Sequence, residues 1–176
     1  MHSSPHELQQ LMAEAKGLEL GSPRQLQLLE ELRARCPAFV PALLLASRAE
    51  LWSGEDAEQT DAAFARIERM LQEAVELSDR SPEALMGLAR FMSVVRAAPE
   101  RAEALYREAS QRTLELLEDS WSGLIEALGE QDKTEEAIGV AQRALCVFPN
   151  SQLIAEARAF AKMAPLHWVR ERQEER

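Results

Sequence analysis

The sequence predicts an all-α solenoid of antiparallel helical hairpins, about eight or nine helices long. Three observations predict it. First, a pattern repeats: Ala102, Tyr106 and Ala109 stand 35 residues before Ala137, Ala141 and Ala144. A period of about 34 residues marks stacked helical hairpins. Second, the 176 residues are 46% hydrophobic but only 5% aromatic. A core of Leu, Ala, Ile, Val and Met suits helices packed closely on one another. Third, Pro and Ser breaks recur between stretches of 3.6-residue apolar period, and no Val-Ile-Thr alternation marks a strand.

The elements follow in order. Ser3 or Ser4 before Pro5 opens a first helix with Leu8, Leu11, Met12 and Ala15 on one face, closed by Gly17 and Gly21. Ser22-Pro23 is a cap-plus-proline start for a second, with Leu26, Leu28, Leu29 and Leu32 inward and Cys36-Pro37 ending it. A third helix runs from about Val40 to Trp52, carrying Leu43, Ala46 and Ala49. Residues 55–60 are acidic and polar and read as a loop. A long fourth helix, about Asp61 to Ser78, carries Phe64, Ile67, Leu71, Ala74, Val75 and Leu77.

Ser81-Pro82 opens a fifth helix with Leu85, Leu88, Ala89 and Met92 inward. Pro99 opens a sixth with Ala102, Leu105, Tyr106 and Ala109 inward, expected to fray between Thr113 and Asp119. Ser120 is the expected cap of a seventh, containing Trp121 to Leu128, and Thr134 that of an eighth, where Glu135 and Glu136 favour the helix start. Phe148-Pro149 breaks the chain before a ninth helix, Gln152 to Met163. With no low-complexity linker, residues 1–164 read as one domain and 165–176 as a charged tail, frayed or disordered.

These residues resemble the tetratricopeptide repeat (TPR) family. In the last copy Trp121 takes the aromatic place and Leu124 the Leu place, Ala137 and Ala144 are the small pair, and Pro149 is the terminator. Leu128 replaces the usual Tyr, Ile125 stands where a small residue is expected, and Ala141 is small where a bulky residue is usual. The copy before it reads Leu85, Leu88, Ala89 and Met92, then Ala102, Tyr106 and Ala109. An earlier one reads Leu43, Ala46, Ser47 and Gly54, then Ile67, Leu71 and Ala74. The first hairpin, about 6–36, fits loosely.

The resemblance implies a protein- or peptide-binding adaptor or scaffold, not an enzyme, with the first helix of each hairpin lining a concave groove. The expected partner-binding residues are Leu44, Arg48, Trp52, Met86, Arg90 and Val94. Ser93, Ser122 and Glu126 hold related places. Two arginines one repeat apart suit an acidic or carboxylate-bearing segment, or pair with Glu50, Glu83 or Glu126 of the stack itself. The TPR subfamily that grips chaperone C-terminal carboxylates uses Lys and Asn at these places, so that partner is disfavoured. A secretion-type chaperone, or an inhibitor binding a specific client protein, is the alternative. Trp168 beside His167 either covers the last helix or anchors a partner.

Other functions find little support. A net charge of −10 argues against nucleic acid. Cys36 and Cys146 lie far apart in apolar helical pattern and read as two buried free thiols. His2, His6 and His167 do not form a metal set, and no HExxH, Gly-rich phosphate loop or GxSxG occurs, so no cofactor or metal is expected. Neither a leader-like start nor a membrane-length apolar run is present, and a soluble cytoplasmic protein is the expectation.

Overall fold

The computed structural model describes residues 4–53 and 60–174, with side chains over 4–53 and 61–163. All regular structure in them is helical. The helices are α1 Pro5–Gly17, α2 Pro23–Arg35, α3 Val40–Trp52, α4 Thr60–Leu77, α5 Pro82–Val94, α6 Pro99–Glu130, α7 Thr134–Val147 and α8 Gln152–Glu174. The chain falls into two compact units, Met1–Ser110 and Gln111–Arg176.

The Ser-Pro starts behave as the sequence predicts. Ser4 caps α1 in a full capping box: the Glu7 N–H donates to Ser4 Oγ and the Ser4 N–H to Glu7 Oε2. Ser22 and Ser81 accept from Gln25 N and Ala84 N in the same way. Each such cap stabilises its helix by about 1 kcal/mol.

In the N-terminal unit, α1 packs on α2, α2 on α3, α3 on α4 and α4 on α5, while α3 also touches α1 and α5. Successive helices joined by short turns reverse direction, so α1, α3 and α5 run alike and share one face. The core between them is bulky: Leu28, Leu29, Leu32, Leu43, Ile67, Leu85 and Met92 are fully buried. Phe64 meets Phe91 edge to face, ring centroids 6.4 Å apart. Ion pairs join neighbouring elements at the surface: Arg24 with Glu14 at 3.1 Å, Arg66 with Glu50 at 2.7 Å and Arg96 with Glu68 at 2.8 Å. Arg80, in the left-handed turn after α4, makes a two-pronged contact with Glu108, with Nε 2.6 Å from Oε1. That hydrogen bond raises the guanidinium's pKa above its ordinary value.

The C-terminal unit is built from small residues. Ala137, Ala141, Ala144, Ala157 and Ala161 are buried with Ile125 and Ile154. At Gly129 a Cβ would stand 2.6 Å from the Ala161 Cα, so only glycine permits this approach. Trp121 meets Phe148 edge to face at 6.0 Å.

Six expectations are corrected. The sixth and seventh predicted helices are one, α6, giving eight in all among the described residues. The Thr113–Asp119 stretch holds neither Pro nor Gly and is rich in Leu and Glu, which sustain a helix. Ser120 is therefore no cap; its hydroxyl donates back to the Leu116 carbonyl at 2.6 Å. Second, α7 begins without a side-chain cap, and Thr134 Oγ1 instead donates to the Ala161 carbonyl at 3.4 Å. Third, on α6 Ile125 and Leu128 are buried, while Leu124 is 46% exposed and Trp121 only half-buried. Fourth, Tyr106 and Leu77 are exposed. Fifth, Cys36 and Cys146 are free, but Cys36 is half-buried and Cys146 exposed, with Sγ toward the Gln142 carbonyl. Sixth, the last helix, expected to end at Met163 before a frayed or disordered tail, continues as α8 to Glu174. The 55–59 part of the acidic loop, His2 and the side chains of His167 and Trp168 lie outside the described residues.

Candidate functional site: a cleft across three first helices

All six predicted groove residues line one cleft of about 530 Å³ in the N-terminal unit. Helical spacing puts them there. Leu44, Arg48 and Trp52 fall at i, i+4 and i+8 on α3, as do Met86, Arg90 and Val94 on α5. Residues so spaced stand one above another on one side of a helix. The opposite sides, Leu43, Ala46 and Ala49 on α3 and Leu85, Ala89 and Met92 on α5, are buried in the core.

The rim is exposed: Trp52 is 70%, Val94 75% and Met86 44% accessible, and both arginines are exposed. Buried Ile67, Leu71 and Phe91 form the floor. Ser47 also lines it, its hydroxyl donating to the Leu44 carbonyl at 2.8 Å, so it adds no free polar group. Gly87 lets α5 close on α3 and α4: a Cβ there would meet Leu71 Cδ2 at 3.3 Å and Leu44 Cδ2 at 3.4 Å.

A third strip of the cleft escaped the sequence reading. Met12 and Lys16 of α1, and Leu20 just beyond it, line the same space. Their spacing is again i, i+4, i+8, and the order apolar, cation, apolar matches the other two strips. That triplet was the available signal; the helix break at Gly17 hid it. Leu20 is held by its neighbours. Gly21, at φ +79°, lies against the end of α3, where a Cβ would come within 3.0 Å of Ala49 O and Trp52 C. The buried Gln25 pins this turn, accepting from the Gly21 N–H at 2.8 Å and donating to the Ala15 carbonyl at 2.9 Å.

The cleft carries Lys16, Arg48 and Arg90 against a single carboxylate, Glu83. Among the described residues none of the three cations makes an ion pair or a side-chain hydrogen bond, and Glu50, offered above as a partner for the arginines, is taken by Arg66. Ser122 and Glu126, the related places of the last repeat, belong to the C-terminal unit; Ser122 is buried and Glu126 exposed. Ser93 is exposed on α5 and does not line the cleft. His6 Nε2 is hydrogen-bonded to Gln10 Nε2 at 2.8 Å.

Residues 1–79, which include α1, α3 and two of the three strips, match the Myxococcota tetratricopeptide repeat protein family. Over 161 residues the chain is 38% identical to an uncharacterized 18.1 kDa protein in the carS 3' region of Myxococcus xanthus, covering 92% of this chain and 95% of that one. The chain belongs to this tetratricopeptide repeat family. No solved structure matches it.

TPR proteins are in general protein-interaction modules and typically non-enzymatic scaffolds. Among the described residues no helix is long and apolar enough to cross a membrane.

Proposed function

We propose that the protein is a non-catalytic adaptor that holds a segment of another protein in the α1, α3 and α5 cleft. One observation carries this reading: a cleft with apolar walls holds three cations that have no ion-pair partner among the described residues, on a chain of net charge −10. Its binding residues are Leu44, Arg48, Trp52, Met86, Arg90 and Val94, joined by Lys16. The apolar side chains supply contact area. The cations supply charge-assisted hydrogen bonds to a partner's carboxylates and set orientation and association rate more than raw affinity. Because packed helices hold the walls, little ordering cost falls on the protein at binding.

The test compares partners recovered from native cells by wild-type protein and by the Arg48→Glu/Arg90→Glu double variant, followed by calorimetry of a recovered partner at low and moderate salt. The double variant is expected to bind more weakly, with less salt sensitivity, at unchanged helix content and melting temperature. Unchanged affinity would move the interaction off this cleft.

A further inference from the structure

We propose that the occupant of the cleft is an amphipathic helix bearing a file of carboxylates seven residues apart, flanked on both sides by apolar side chains. This rests on the cleft being the binding face and goes further, naming the partner's conformation and its sequence pattern.

The three strips have the same internal order. Met12, Leu44 and Met86 lie at one edge, Lys16, Arg48 and Arg90 in the middle, and Leu20, Trp52 and Val94 at the other edge. Since α1, α3 and α5 run alike, like residues form rows across the helices: an apolar row, a cation row and a second apolar row. On α3 and α5 a step of four residues is about 6 Å, so Leu44 and Trp52, and likewise Met86 and Val94, stand about 12 Å apart, while Leu20 reaches its row from the turn after α1. A helix with side chains is about 10–12 Å across and spans both rows. An extended strand returns to the same face every two residues, about 6.6 Å, which does not match the step of about 8–10 Å between neighbouring helices.

The spacing along the cation row fixes the partner's period. Packed helices lie about 8–10 Å apart. Seven residues advance a helix about 10 Å and return to the same side. Carboxylates at i, i+7 and i+14 therefore meet Lys16, Arg48 and Arg90 in turn. Side chains three and four residues on either side of each carboxylate fall on the two apolar rows, where the exposed Met86 adapts to different partner shapes. The chain's net charge of −10 disfavours acidic segments that lack this register, so it discriminates among partners.

The full-length protein is used as bait for a display library of 21-residue peptides on a helical scaffold, with acidic, basic, polar and apolar residues allowed at every position. Selected peptides are expected to carry Asp or Glu at seven-residue spacing with apolar residues three and four away. Their binding should fall about tenfold or more for each of Lys16→Glu, Arg48→Glu and Arg90→Glu, the Lys16 effect being confined to peptides with a third carboxylate. Circular dichroism and melting temperature verify that each variant is folded. Selected peptides without that spacing, or ones that keep binding with a central proline, overturn the helical file; if they still fail on the arginine reversals, the cleft stands as the binding face. Peptides indifferent to all three reversals overturn both readings. A library that yields no binder overturns the helical occupant, and the partner calorimetry then decides the cleft on its own.

Discussion

The two units solve one packing problem with different side chains. The N-terminal unit fills its interior with leucine, isoleucine, methionine and phenylalanine, and its first helices stand far enough apart to leave a cleft. The C-terminal unit uses alanine and glycine, and its helices close until Gly129 lies against Ala161. The family's sequence signature is mostly a rule about small residues at helix crossings. That rule is plainest in the alanine-rich C-terminal unit, from Trp121 to Pro149, whereas the family match falls on residues 1–79, which hold two of the three strips of the cleft. Groove residues face away from the crossings and are free to vary without disturbing the stack.

Substitutions can break this contrast. The largest effect is expected from Leu85→Ala, which leaves a hole in the bulky core: a loss of about 2–5 kcal/mol in a urea melt. Gly129→Ala tests the opposite failure. Its added methyl meets backbone and not a yielding side chain, so a loss of about 1–3 kcal/mol is expected. Gly17→Ala, where nothing lies within 4 Å, is the control and should be neutral or stabilising by up to about 1 kcal/mol. If Gly129→Ala behaves like Gly17→Ala, the C-terminal unit is not closely packed at that crossing and the contrast fails. Gln25→Leu comes next. It strips partners from the Gly21 N–H and the Ala15 carbonyl, at a cost of about 1–3 kcal/mol. It should also loosen the turn that carries Leu20 to the cleft, which faster amide exchange at Gly21 would report.

The helices were legible because their starts are written locally. A Ser-Pro pair fixes an N-terminus by geometry and one hydrogen bond, and all three such starts are where the sequence places them. The fused α6 was not legible for the complementary reason. A fray between Thr113 and Asp119 was expected, while the residues there are good helix formers. Leu124 faces outward because the buried stripe of α6 passes through Ile125 and Leu128. In the cleft, the period-four spacing on α3 and α5 was enough to bring six named residues together. The α1 strip was missed because Leu20 reaches the cleft from a turn, held by Gly21 and Gln25, and no helical periodicity describes a turn.

The smallest expected effect bears most on function. Arg90 and Arg96 are six residues apart and are both partly accessible arginines of the N-terminal unit, yet they do different work. Arg96 pairs with Glu68 at 2.8 Å and lies over the Phe91 ring, 5.7 Å from its centroid. Glu68 also draws Arg101, at 3.7 Å. Arg96→Ala removes both contacts and leaves Glu68 with a weaker partner, so a loss of about 1 kcal/mol is expected after allowance for solvent screening. Arg90 stands in the cleft and has no partner among the described residues. Its truncation removes a side chain that touches water, and Arg90→Ala and Arg48→Ala should each stay within about 0.5 kcal/mol of wild type. Urea melts of the three variants, run side by side, make the comparison. A loss at Arg90 as large as that at Arg96 would mean that the stack holds this guanidinium in solution, leaving less positive charge for a partner. A null effect at Arg48 and Arg90 beside a measurable one at Arg96 separates the cations that hold the fold together from those it leaves available, and only the second kind can be reversed to glutamate in a binding experiment without confusing lost affinity with lost structure.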